Sequence, residues 1–199
     1  EVCKFLEPYI NLTEKLGVFS SQLVEGRFQG LNISYSGEII QYDLTPLTMA
    51  LVKGILSPIL KETVNFINAV SLAKERGIKI KEAKTSKEEE FVNLIQLEIK
   101  TDKETKVIGG TLSANKQPRI VKIDDYYVEV SPMGEMVMIQ NWDRPGIIGN
   151  LGTLLGKHNI NIAAMTFGRE KPGGRAITVL NVDSPVSAEI LDKIKKTEN

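Results

Sequence analysis

Between residues 135 and 196 the apolar pattern switches repeatedly between a period of two and a period near 3.6, and the order of those switches constrains the fold most strongly. Strands are predicted over 135–141, 161–168 and 175–182, with helices over 147–157 and 187–196. A βαββα run of this spacing matches the ferredoxin-like plan βαββαβ, which calls for one strand more than the sequence supplies before Asn199. Such a sheet would be left with an open edge.

The upstream part obeys other rules. Tyr9, Leu12, Leu16, Phe19 and Leu23 recur at spacings of three and four, predicting an amphipathic helix with Pro8 in its first turn and Gly26 at its stop. Leu31, Ile33 and Tyr35 alternate with polar residues and read as a half-buried strand ending at Ser36 and Gly37. Thr45 and Pro46 fit an N-cap and first helical position of a helix through Leu56. A further helix is expected over 65–76, closed by Gly77, with Ile67, Val70 and Ala73 on its apolar side. Ile78 and Ile80 alternate with lysines, and two hairpins follow: 91–100 with 106–113, and 119–123 with 126–130. The break at Ser131, Pro132, Met133 and Gly134 places the domain boundary, giving domains 1–133 and 134–199 and an α+β class overall.

Composition excludes several classes. With 25 Lys+Arg against 25 Asp+Glu and 42% hydrophobic residues, the 199-residue chain has neither the charge excess of a disordered chain nor the basic footprint of a nucleic-acid binder. No apolar run approaches the roughly 20 residues of a membrane span. The single Cys3 and the absence of a leader pattern predict a cytoplasmic protein, and the missing initiator Met predicts a piece of a longer one.

Few motifs carry chemistry. The glycines at 146, 149, 152 and 156 fit neither phosphate-binding fingerprint, because the spacing before Lys157 is one residue short and His158 stands where Ser or Thr is needed. One Cys and one His cannot assemble a zinc cluster. Glu88, Glu89 and Glu90 read as a solvated turn, while Tyr126 and Tyr127 straddle a strand with one ring inward and one outward. The segment Asn141, Trp142, Asp143, Arg144, Pro145, Gly146 sets short polar side chains and a rigid turn between a strand end and a helix start. There free helix N–H groups attract a carboxylate, and Asn141 or Asp143 suits an ammonium or hydroxyl. The plainer alternative is that Asp143 caps the helix. A reading as a stand-alone enzyme would use Asp143 and His158 as acid and base.

Residues 141–149 together with Leu154, Leu155, Gly156 and the run 160–163 closely resemble the ACT domain, a βαββαβ module that senses amino acids. Upstream, Leu16-Gly17, Gly37-Glu38, Gly54 with Pro58, Asn65 with Asn68-Ala69, Gly77-Ile78 and the run 119–124 resemble the intervening domain of long-form D-3-phosphoglycerate dehydrogenases. The likeness runs through essentially the whole chain. It implies a mixed α/β intervening domain followed by an ACT domain, forming the regulatory part of an NAD-dependent enzyme that opens L-serine biosynthesis. The Rossmann and substrate domains with their Arg-Glu-His set are not in this chain, so no catalytic residue, metal or cofactor is expected in it.

The resemblance further implies homo-oligomers through the ACT and intervening domains, with L-serine between one subunit's strand–helix turn and the partner's next strand. Carried onto this sequence, the effector contacts fall on Asn141, Asp143 and Asn161, and on the backbone of Gly146, Ile147 and Ile148. Some relatives bind an anion near the second hairpin; here Arg119 is basic, but Tyr126 and Ser131 stand where those relatives have Arg. The intervening domain is expected to serve mainly in oligomerisation and as a hinge. The alternative is the ACT region of an iron–sulfur L-serine dehydratase or of another amino-acid sensor.

Overall fold

A computed structural model of the chain describes residues 2–60, 63–85 and 91–197, and the turn expected at Glu88, Glu89 and Glu90 lies outside them. The chain divides into two compact units, Glu1–Asp124 and Asp125–Asn199.

In the first unit the apolar stripe forms α1 (Val2–Leu23), burying Leu12 and Leu16 completely. Pro8 lies inside this helix rather than in its first turn. The extra N-terminal turn is recruited by packing: Leu6 is buried, and the Phe5 ring lies 4.7 Å from that of Tyr42. The strand β1 (Phe28–Gly37) leads through a 3₁₀ turn to α2 (Thr45–Leu56), whose N-cap is Leu44 rather than Thr45. The Asp43 carboxylate accepts from both the amide and the hydroxyl of Thr45, supplying the capping oxygen one residue early.

The next helix, α3 (Ala69–Glu75), starts later than its apolar pattern suggests. Asn65 accepts from the amides of Ile67 and Asn68, and such local bonding competes with the helix. Ile67 is consequently 87% exposed, whereas Ala73 is buried. Glycines let α1 and α2 cross closely: a Cβ on Gly17 would strike the Leu51 carbonyl oxygen, and one on Gly54 the Glu14 carbonyl oxygen. Lys53 and Glu14 form an ion pair of 2.7 Å beside the crossing.

The strands β2 (Lys79–Thr85), β3 (Asn93–Thr101), β4 (Thr105–Leu112) and β5 (Pro118–Ile123) complete the unit, with sheet order β2-β1-β3-β4-β5. β1 and β2 are parallel, while β1–β3, β3–β4 and β4–β5 are antiparallel, so the first predicted hairpin forms. Leu31, Ile33, Tyr35, Leu97 and Ile99 fill one face. Tyr35 donates to or accepts from Thr48 at 2.8 Å, and burial pushes its phenol far above the ordinary tyrosine range.

The second unit contains β6 (Tyr126–Val130), β7 (Glu135–Trp142), α4 (Ile147–Lys157), β8 (Ile162–Arg169), β9 (Arg175–Val182) and α5 (Ala188–Thr197). The predicted βαββα order is present, with the antiparallel sheet β7-β9-β8. Val137, Ile139, Leu180 and Val182 face Leu151 and Leu155 of α4 and Ile190 and Ile194 of α5. The second compact unit begins at Asp125, so β6 lies within it. Thr166 Oγ1 donates to the Glu129 carbonyl at 2.9 Å, and Asn181 Nδ2 donates to the carbonyls of Ser131 and Met133. Tyr126 is half-buried and Tyr127 is 67% exposed. Among the described residues no helix is long and apolar enough to cross a membrane.

Candidate functional site

The turn between β7 and α4 is built by three strand ends. Trp142 pairs with Arg175 across β7–β9, and Arg169 pairs with Ala176 across β8–β9, so the end of β7, the end of β8 and the start of β9 share one edge of the domain. Asp143 sits there. Its Oδ2 accepts from Arg169 Nη1 at 2.8 Å and from the Gly173 amide at 3.2 Å, while its own amide donates to the Gly174 carbonyl. The Arg169 hydrogen bond foremost, then that of Gly173, holds its carboxyl below the usual range. The carboxylate therefore clasps the β8–β9 loop. It does not cap α4, which has no side-chain cap.

Asn141 is buried, 2% exposed, on the helix-covered face of β7. Its Nδ2 donates to the Trp142 carbonyl at 2.8 Å, and Thr178 Oγ1 donates to its Oδ1 at 3.3 Å. Gly146 adopts φ 94° at the N-cap, a conformation that favours glycine. Ile147 N–H reaches only the Arg144 carbonyl, at 3.5 Å, and Asn150 N–H takes the Gly146 carbonyl. The intervening amides of Ile148 and Gly149 point out of the first turn without a backbone acceptor among the described residues. Positive helix-end potential and free N–H groups make this turn suited to a carboxylate.

Asn161 is elsewhere. Its Nδ2 donates to Asp183 Oδ2 at 2.7 Å, and it adjoins Ile162, which pairs with Val182 at the end of β9 opposite Ala176. Six strand residues of roughly 3.3 Å each separate those ends, about 20 Å. Within one chain the structure thus gathers Asn141, Asp143, Gly146, Ile147 and Ile148 and leaves Asn161 at the far end of the sheet. Arg119 lies on β5 in the first unit, its Nη1 donating to the Pro118 carbonyl at 2.8 Å.

Two residues of the turn escaped the sequence reading. Arg169 supplies the partner of Asp143, and Arg175 stacks its guanidinium 4.5 Å from the centre of the Trp142 ring. Both lie more than twenty residues from the turn in sequence and arrive through the strand register, which no local spacing signals. His158 ends α4, with Nε2 3.4 Å from Lys193 Nζ. Asp143 and His158 flank opposite ends of an eleven-residue helix, about 16 Å long, so the two do not form an acid–base pair.

The model for the D-3-phosphoglycerate dehydrogenase intervening domain matches residues 5–124, and the ACT domain model matches 137–199. The chain belongs to the D-3-phosphoglycerate dehydrogenase intervening-domain family. The residues matched by the ACT domain model lie within the second unit described above. Among curated relatives named D-3-phosphoglycerate dehydrogenase, that of Methanocaldococcus jannaschii is 39% identical over 194 residues, covering 98% of this chain and 37% of the relative. That of Archaeoglobus fulgidus is 36% identical over 197 residues, covering 98% and 37%. That of Bacillus subtilis is 35% identical over 189 residues, covering 95% and 36%. The chain therefore spans a little over a third of the length of these relatives.

Proposed function

We propose that this chain is the regulatory portion of a cytoplasmic D-3-phosphoglycerate dehydrogenase and binds L-serine between the ACT domains of two copies. NAD and the hydride transfer of L-serine biosynthesis would belong to parts of the parent that this chain does not span. The supporting observation is the register of the β7-β9-β8 sheet. Asp143 and the α4 amides lie at one end and Asn161 at the other, and β8 is an edge strand.

Antiparallel addition of a second β8 across a two-fold axis would lay the Asn161 end of one copy beside the Asp143–Arg169 end of the other. The effector carboxylate would then meet the Ile148 and Gly149 amides. Its ammonium would meet Asp143 Oδ1, which makes no hydrogen bond among the described residues. Asn161 would exchange Asp183 for the effector's polar groups. The domain from residue 134 onward would sense, and the intervening domain would relay pairing as a coupling free energy between distant sites.

Isothermal titration of L-serine into the chain, with glycine and D-serine as controls, tests this. The expected result is saturable heat for L-serine that disappears in Asn161→Ala. No heat in the unmodified chain, or undiminished heat in the variant, contradicts the shared site.

A further inference from the structure

The formally neutral chain concentrates positive charge in one place. The outer face of β2, β1 and β3, turned away from the buried Leu31 and Ile33, carries a groove of about 690 Å³. Its lining includes Arg27, Arg76, Lys79, Lys81 and Lys100 against the single carboxylate of Glu98. That carboxylate is already engaged, accepting from Asn32 Nδ2 at 2.6 Å. Among the described residues, Lys79, Lys81 and Lys100 form no ion pair.

The register explains why the charges surround a gap. Gly30 pairs with Lys79 on one side and with Lys100 on the other, so two lysines straddle a residue without a side chain. Their backbones are two inter-strand steps apart, roughly 10 Å, enough for one phosphate-sized group between the ammonium heads. The register of β1 against β3 shifts between Phe28 and Gly30, and such a bulge re-aims the strand at the mouth of the groove. Asn32, with Lys81 and Glu98 across from it, forms the next row.

We propose that this groove is a binding site for a small polyanion of the phosphate-ester or diphosphate class, seated over Gly30 between Lys79 and Lys100. Lysines offer point charges and arginines planar forks to phosphoryl oxygens, and the volume is that of a small-molecule site. The position is distinct from Arg119, which lies three strands away on β5. The inference is independent of serine binding.

Pyrophosphate and inorganic phosphate are the probes, titrated into the whole chain calorimetrically at low and at physiological ionic strength. Three variants separate a built site from diffuse charge. Lys79→Gln/Lys100→Gln removes the flanking cations, Gly30→Val fills the floor without changing charge, and Lys122→Ala removes a cation outside the groove. A Cβ on Gly30 would meet nothing closer than the Lys79 carbonyl oxygen at 3.5 Å, so the strand accommodates it. The expected result is pyrophosphate binding that weakens about tenfold or more, 1.4 kcal/mol for each factor of ten, in the double variant and in Gly30→Val. Lys122→Ala should bind as the unmodified chain does. Circular dichroism verifies folding, and should Gly30→Val not fold, the double variant against Lys122→Ala decides the question. No binding by the unmodified chain, full binding by a folded Gly30→Val, or equal losses in Lys122→Ala and the double variant overturns the proposal.

Discussion

The Asp143 carboxylate is held in its charged form by Arg169 first and by the Gly173 amide second, and the sign of its pH dependence follows. A carboxyl whose folded pKa is depressed contributes stability that is complete above its unfolded pKa and is lost as pH falls through the folded one. The Asp143–Arg169–Gly173 clasp should therefore persist through neutral and mildly acidic pH and open only below the ordinary aspartate range. The Gly173 amide shift in an NMR pH titration reports this. A constant shift with a step only in strong acid, absent in Asp143→Asn, is expected, and a midpoint at or above the ordinary aspartate value would refute it. Sequence spacing picked out Asp143 and Asn141 because short polar residues at a strand–helix junction are a local signal. It could not reveal that Asn141 turns inward to Thr178, nor that Arg169 closes on Asp143, since both contacts depend on strand register.

At the level of elements, local pattern and tertiary packing part company in identifiable places. The bounds of α4 and β9 follow the residue pattern because apolar period and flanking turns agree there. α1 outruns its Pro8 because Leu6 and Phe5 find apolar partners, and α3 falls short because Asn65 bonds to the following amides. The α1–α2 crossing was legible only as two isolated glycines. Their meaning emerges from the opposing carbonyls of Leu51 and Glu14. Gly54→Val should force the helices apart and destabilise the first unit by about 1–3 kcal/mol, as overpacking does. Denaturant unfolding measures that cost, and a variant as stable as the unmodified chain would mean that the crossing has slack.

For the whole molecule, the ferredoxin-like second unit could be read from the order of its elements. The placement of Asn161 at the far end of the sheet from Asp143 could not. Asn161 and Asp143 stand at opposite ends of one sheet, so a shared effector site needs two copies, and that claim can be tested by complementation. The chain carrying Asn161→Ala retains the turn and loses the far strand contact, whereas the chain carrying Asp143→Asn does the reverse. L-serine is titrated into each variant alone and into their equimolar mixture after exchange of subunits. The account predicts that neither variant binds alone and that the mixture regains binding, because each mixed pair holds one intact turn facing one intact Asn161. A mixture that binds no better than its components would contradict a serine site shared between two chains.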